Sequence, residues 1–208
     1  MMLQDAAPRA LFGPAAAALD GIGHPGTNLS VWTRQLPPCL QRASAGLIEV
    51  AADPLCLYVT AGEAGTLLPD LLASAALAAD IAALAEHFLR ISGSTRAHIE
   101  LEVVRHDACR FFHVDQVGLR LLCSYVGPGT EWISEDNLNR AALGTGNNAA
   151  VVRDPARVHR LETGWVGLFR GEKAAPGQGV VHRSPPIRRT GEKRLLLRID
   201  QPGPHIPE

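Results

Sequence analysis

The 208-residue chain lacks several signals that would assign a protein quickly. Its formal net charge is −1, so bulk electrostatics gives no reason to expect nucleic acid or an anionic membrane surface as a partner. No window approaches the ~18 uninterrupted apolar residues of a membrane span, and none is predicted. The chain does not open on a basic start followed by an apolar run. Asp5 and Arg9 interrupt it and Pro14 breaks the alanine-rich stretch behind it, so no secretory leader is expected. Cys39, Cys56, Cys109 and Cys123 form no C-x-x-C pair and match no zinc-finger spacing, which predicts a reducing, cytoplasmic compartment. No internal repeat is visible.

A hydrophobic content of 46% with 20% charged residues is an ordinary globular balance. The length suits one domain over residues 29–200, with a loosely ordered, Ala/Gly/Pro-rich lead-in at 1–28 and a Pro-rich tail at 201–208. Short strands are expected at Leu29–Thr33 and Leu55–Thr60, and a helix from Cys39 to about Ala45. Leu67–Ile91 carries apolar residues at three- and four-residue spacing and predicts one long helix. From Thr95 the period becomes two. Ala97, Ile99, Leu101 and Val103 alternate with His98, Glu100 and Glu102, a strand with one wet face. Further strands are expected at Gly118–Val126, Thr163–Arg170, Gly179–Ser184 and Arg194–Asp200. Helices first and strands afterwards predict a mainly β, α+β fold: a jelly-roll-like core with the long helix of the N-terminal half packed outside it.

The chemistry-bearing residues gather between Cys109 and Trp132 and again between Gly179 and Arg198. His113 and Asp115 are two apart, so in a strand both face one side, about 6–7 Å apart. A third ligand must come from elsewhere, and His182, at the end of a valine-rich strand, is the candidate. Two imidazoles and one carboxylate leave coordination positions open, the arrangement of non-haem Fe(II) oxygenases. If Gly191 marks a hairpin turn, Arg194 pairs near His182 and offers a guanidinium fork for a carboxylate, with Arg198 as the runner-up. Arg188, Arg189 and Lys193 read as a solvated rim. Arg120, out of phase with His113 and Asp115, reads as a structural charge. His98-x-Glu100 and the turn acid Glu131 read as solvated, and Trp132 and Trp165 as core or pocket wall.

The order His113-x-Asp115, His182, Arg194 on strands of a β core resembles the 2-oxoglutarate/Fe(II)-dependent dioxygenases, as does the turn G-P-G-T-E-W over 127–132. That resemblance implies a double-stranded β-helix (jelly-roll/cupin-like) core. It also implies Fe(II) on His113, Asp115 and His182, and 2-oxoglutarate on Arg194. Tyr125, twelve residues after His113, would line the cosubstrate or substrate pocket. The final strand, R-L-L-L-R, departs from the pattern by lacking a small hydroxyl residue two positions after Arg194. At closer range the blocks C-R-F-F-H-V-D, R-L-L-C-S-Y-V-G-P-G-T-E-W and V-V-H-R-S-P-P-I resemble a bacterial family, domain of unknown function 1826, over roughly residues 29–200.

Three functions fit this reading. The first is an Fe(II)- and 2-oxoglutarate-dependent oxygenase acting on a small-molecule or otherwise unidentified substrate. The second is a non-catalytic metal-binding protein holding Zn(II) in a closed site, with Cys109 as a possible accessory ligand. The third is a metal-free jelly-roll binding module.

Overall fold

The computed structural model describes residues 9–50 and 53–202. Among them, ten strands and four α-helices form two facing sheets, with three of the helices on the outer face of the major sheet and the short fourth against the minor sheet. The strands are β1 (Arg9–Gly13), β2 (Thr27–Trp32), β3 (Leu55–Val59), β4 (Ala97–Val104), β5 (Leu119–Val126), β6 (Glu131–Ile133), β7 (His159–Arg160), β8 (Val166–Arg170), β9 (Val181–Arg183) and β10 (Arg194–Asp200). The helices are α1 (Pro38–Val50), α2 (Glu63–Leu71), α3 (Ala75–Ser92) and α4 (Asn148–Val151).

The major sheet runs β1-β2-β8-β5-β10-β4-β3 and the minor sheet β7-β6-β9. Within the major sheet only β1 and β2 are parallel. The two-residue period of the strands explains the layers. Leu119, Leu121, Cys123 and Tyr125 of β5 and Leu195, Leu197 and Ile199 of β10 face the helices, packing with Leu77, Ile81 and Phe88 of α3. The alternate residues face the minor sheet, where Leu122 and Leu196 join Trp132, Leu161 and Phe169 in a second core. This is the expected jelly-roll-like sandwich with helices outside.

Two elements differ from the sequence reading. The long helix is two: α2 ends at Leu71, Leu72 turns extended, and Ser74 caps α3 by accepting from the Leu77 N–H at 3.3 Å. Leu68, Leu72 and Leu77 are all buried in one core, so the apolar period carries through the break. The segment expected to be loose is ordered from residue 9. β1 pairs along β2, and a 3-10 helix over Ala16–Gly23 buries Leu19 and Ile22. That order comes from tertiary packing, which leaves no period in an Ala/Gly/Pro-rich stretch. Residues 1–8 of the lead-in and 203–208 of the tail lie outside the described residues. Gln201, assigned to the tail, accepts from the Leu119 N–H and donates to Ser94 Oγ. Among the described residues no helix is long and apolar enough to cross a membrane.

Candidate metal centre

His113 lies outside the named strands but bonds twice to His182 of β9: the N–H of each donates to the carbonyl of the other at 3.0 Å. The pair extends the minor sheet by one residue and sets the two imidazoles side by side, ring centroids 4.7 Å apart. Each ring is turned the same way by the carbonyl two residues before it. Nδ1–H of His113 donates to Phe111 O at 2.9 Å, and Nδ1–H of His182 to Val180 O at 3.1 Å. This tautomer follows from the acceptors present, and it leaves each Nε2 as a lone-pair donor.

Both Nε2 atoms converge on Asp115. His182 Nε2 lies 3.1 Å from Oδ2 and His113 Nε2 3.5 Å from Oδ1. The three ligand atoms all lie within 4.8 Å of one another, and among the described residues no fourth Cys, His, Asp or Glu joins them. Asp115 is 8% exposed, and its Oδ2 is buried without a hydrogen-bond partner among the described residues. Burial works to raise the Asp115 pKa, but the two histidines and Arg120 outweigh it and hold the carboxyl far below the usual range. Burial likewise works to lower the His113 pKa, and Asp115 turns it upward. Two imidazole lone pairs and a buried carboxylate with an orphaned oxygen form a donor set that fits a divalent metal ion, with positions left open beyond the three ligands.

Arg120 belongs to this site, contrary to the reading of it as a structural charge out of phase with His113 and Asp115. Its Nη1 lies 2.5 Å from Asp115 Oδ1, while Nε and Nη2 donate to the two oxygens of Asp200 at 2.6 and 2.7 Å. Between His113 and Leu119 the chain crosses from the minor to the major sheet, so strand phase does not carry across. Tyr125 is misplaced for the same reason. It faces the helices, fully buried, and its hydroxyl donates to Asp80 Oδ2 at 2.5 Å. Asp80 in turn binds Arg34 through both oxygens, at 2.6 and 2.8 Å. Tyr125 therefore does not line the metal cavity.

A cavity of about 80 Å³ joins two of the ligands, His113 and His182, to Arg194, with Glu102, Thr130, Ser184, Arg120 and Arg198 also on its wall. Arg194 is 0% exposed, the largest fully buried side chain among the described residues. Its partners are hydroxyls only: Nη2 donates to Ser124 Oγ at 3.0 Å and Thr130 Oγ1 at 3.3 Å, and Nη1 to Ser184 Oγ at 3.5 Å. Its Nε has no partner among the described residues. Burial lowers its pKa to about 10. A buried guanidinium without a carboxylate in contact costs several kcal/mol, a cost that an anionic ligand offsets.

The route by which Arg194 arrives differs from the expected hairpin. β9 pairs with β6, whereas β10 pairs with β4 and β5 in the opposite sheet, so Arg194 reaches the cavity from across the sandwich. The missing hydroxyl after Arg194 is supplied by Ser124, Thr130 and Ser184, on three separate segments that no single-strand motif links. The 127–132 turn places Thr130. Gly127 has φ +77°, and a Cβ there would collide with the Lys193 carbonyl oxygen.

Arg198 also lines the cavity but is already paired with Glu100, and with Asp200 at 3.4 Å. Cys109 is exposed on the cavity wall and lies outside the ligand cluster. Glu131, expected to be solvated, is buried between Arg160 at 2.5 Å and Arg183 at 2.7 Å. Trp132 packs in the core between the sheets, with Trp165 against it.

No curated protein matches the sequence. Among solved structures, a prolyl-4-hydroxylase from Pseudomonas putida superposes with a TM-score of 0.51 at 15% identity, over 89% of this chain and 97% of that one. A bsmA homologue from Methylobium petroleophilum superposes with a TM-score of 0.51 at 14% identity, over 89% and 91% of the two chains. At such identities the likeness is one of fold, the jelly-roll-like core described above. The model of the protein family of unknown function DUF1826 matches residues 13–200, and the chain belongs to that family.

Proposed function

We propose that this protein is a non-haem Fe(II)-dependent oxygenase that uses 2-oxoglutarate and O₂ to oxidise a substrate not yet identified. The observation that carries the reading is the pairing of two features in one cavity. A His-Asp-His cluster with open positions lies at one end, and at the other a fully buried guanidinium hydrogen-bonded to hydroxyls alone, with Glu102 also on the cavity wall. Together they suit a ligand that chelates a metal and ends in a carboxylate, which neither feature would require by itself.

His113, Asp115 and His182 would hold the ion. Fe(II) bound there would supply the redox chemistry, with 2-oxoglutarate oxidised to succinate and CO₂ as O₂ is reduced. The remaining work belongs to the protein. Arg194 binds the distal carboxylate of 2-oxoglutarate through its fork, with Ser124, Thr130 and Ser184 fixing the plane of the guanidinium. Arg120 anchors Asp115 and, tied to Asp200, resists its rotation. Phe169, its ring centroid 5.2 Å from that of His182, walls the metal side with apolar surface. The four cysteines are free thiols, as suits the reducing, cytoplasmic setting in which Fe(II) is retained.

Purified protein loaded anaerobically should bind about one equivalent of Fe(II) at this cluster. On admission of O₂ it should convert 2-oxoglutarate slowly to succinate without added substrate. His113→Ala and Asp115→Ala should lose both properties. Parent-like Fe(II) binding by either variant would place the metal elsewhere.

A further inference from the structure

A second constellation lies on the same inward face of the major sheet, at its far edge. Cys56 of β3 stands directly opposite Glu100 of β4, and His98 lies two residues from Glu100 on the same side. One ligand atom from each of Cys56, His98 and Glu100 falls within 4.8 Å of the other two. We propose that Cys56, His98 and Glu100 form a second metal site, selective for Zn(II) or a similarly thiophilic ion, separate from the His113–Asp115–His182 cluster.

The sheet register itself builds the triangle, so the ligands are preorganised on two hydrogen-bonded strands rather than on loops. A cysteine, a histidine and a carboxylate make a mixed set that thiophilic, borderline-soft ions accept, with water completing a tetrahedron. Thiolate and carboxylate together balance the charge of a divalent ion. The neighbours orient the ligands. The Tyr58 ring packs against His98 in a tilted arrangement, centroids 4.6 Å apart, and Arg96 lies 5.4 Å over Tyr58. Arg198 donates to Oε2 of Glu100, which leaves Oε1 for the ion. β3 is the edge strand of the sheet and Cys56 is exposed, so an ion enters directly from solvent.

The site is linked to the cavity through one residue. Arg198, the partner of Glu100, also lines the cavity that holds Arg194. An ion on Glu100 competes for its negative charge and leaves Arg198 leaning on Asp200, so occupancy at the edge alters the charge lining the cavity.

Titration with Co(II) tests this, because a cobalt–thiolate bond gives a near-ultraviolet charge-transfer absorption that the His-Asp-His cluster cannot produce. The full chain should show that band together with two bound equivalents. Cys56→Ser, an isosteric change at an exposed position, should lose the band and one equivalent, and His98→Ala should do the same. Asp115→Ala should keep the band while losing the other equivalent, and Cys109→Ser should keep both. Circular dichroism of each variant separates ion loss from unfolding. Absence of the band in the parent overturns the proposal, as does its persistence in Cys56→Ser or its loss in Cys109→Ser. None of these outcomes depends on 2-oxoglutarate or on turnover, so the test stands apart from the oxygenase reading.

Discussion

Arg120 lies 2.5 Å from Asp115 through Nη1 while Asp200 holds its other two nitrogens, so one guanidinium ties the carboxylate of the metal cluster to the last strand of the major sheet. A bidentate grip of that kind needs a planar fork, which lysine does not have. Arg120→Lys should therefore keep the charge and the fold yet weaken metal binding about 10- to 100-fold, the usual cost of losing a partner that orients a ligand. Arg120→Ala should go further, removing the guanidinium held closest to both buried carboxylates at about 3–5 kcal/mol of stability. Metal titration and urea unfolding of the two variants separate these effects.

Arg194 is predicted to be costly to the fold and necessary to the ligand. Its guanidinium is buried with hydroxyl partners alone. Arg194→Met should leave stability unchanged or raise it by about 1–4 kcal/mol, as replacement of buried charge by apolar volume often does. The same variant should lose the thermal stabilisation given by 2-oxoglutarate. In the parent that stabilisation should reach about 2.7 kcal/mol at a hundredfold excess over Kd.

Tyr125 and Asp80 are predicted to serve stability only. Asp80 is the counter-ion of the buried Arg34 and accepts from the Tyr125 hydroxyl. Asp80→Ala should cost about 3–5 kcal/mol by leaving Arg34 unpaired. Tyr125→Phe should cost about 1 kcal/mol. Neither should change the metal stoichiometry, and metal analysis of the folded Tyr125→Phe protein checks this directly.

Gly127→Ala should destabilise by about 1–2 kcal/mol from the left-handed backbone alone. The contact of its Cβ with the Lys193 carbonyl adds to this. Because the turn carries Thr130 to Arg194, weaker 2-oxoglutarate binding should accompany the loss, measurable by calorimetry at a temperature where the variant remains folded.

Much of this molecule is legible in the sequence, for local reasons. Strand β4 alternates cleanly, while β5 and β10, buried against the helices on one face and the minor sheet on the other, read as nearly continuous apolar runs. His113, Asp115, His182 and Arg194 stand out as a set, and the structure brings them to one cavity wall or its immediate edge. What fails is arithmetic across a chain crossing. Phase counted from His113 puts Tyr125 in the site and Arg120 out of it, and both are reversed, because residues 114–118 switch sheets. The hairpin expected to deliver Arg194 does not form, since β9 and β10 belong to opposite sheets. The hydroxyl partners of Arg194, and Asp200 behind Arg120, carry no sequence signal because they come from segments far apart in the chain. Nor does the order in residues 9–23, which is imposed by Leu19, Ile22 and the pairing with β2 and has no period of its own.

The central claim is that one cavity joins a metal on His113, Asp115 and His182 to a cosubstrate carboxylate on Arg194. Anaerobic calorimetric titration of 2-oxoglutarate tests it most directly, using the parent and Arg194→Met with and without Fe(II). The account predicts one equivalent bound by the parent, strongly dependent on Fe(II), and at least a hundredfold weaker binding by an Arg194→Met protein that still takes up Fe(II). Equal affinity of the two proteins for 2-oxoglutarate, or affinity indifferent to Fe(II), would contradict it.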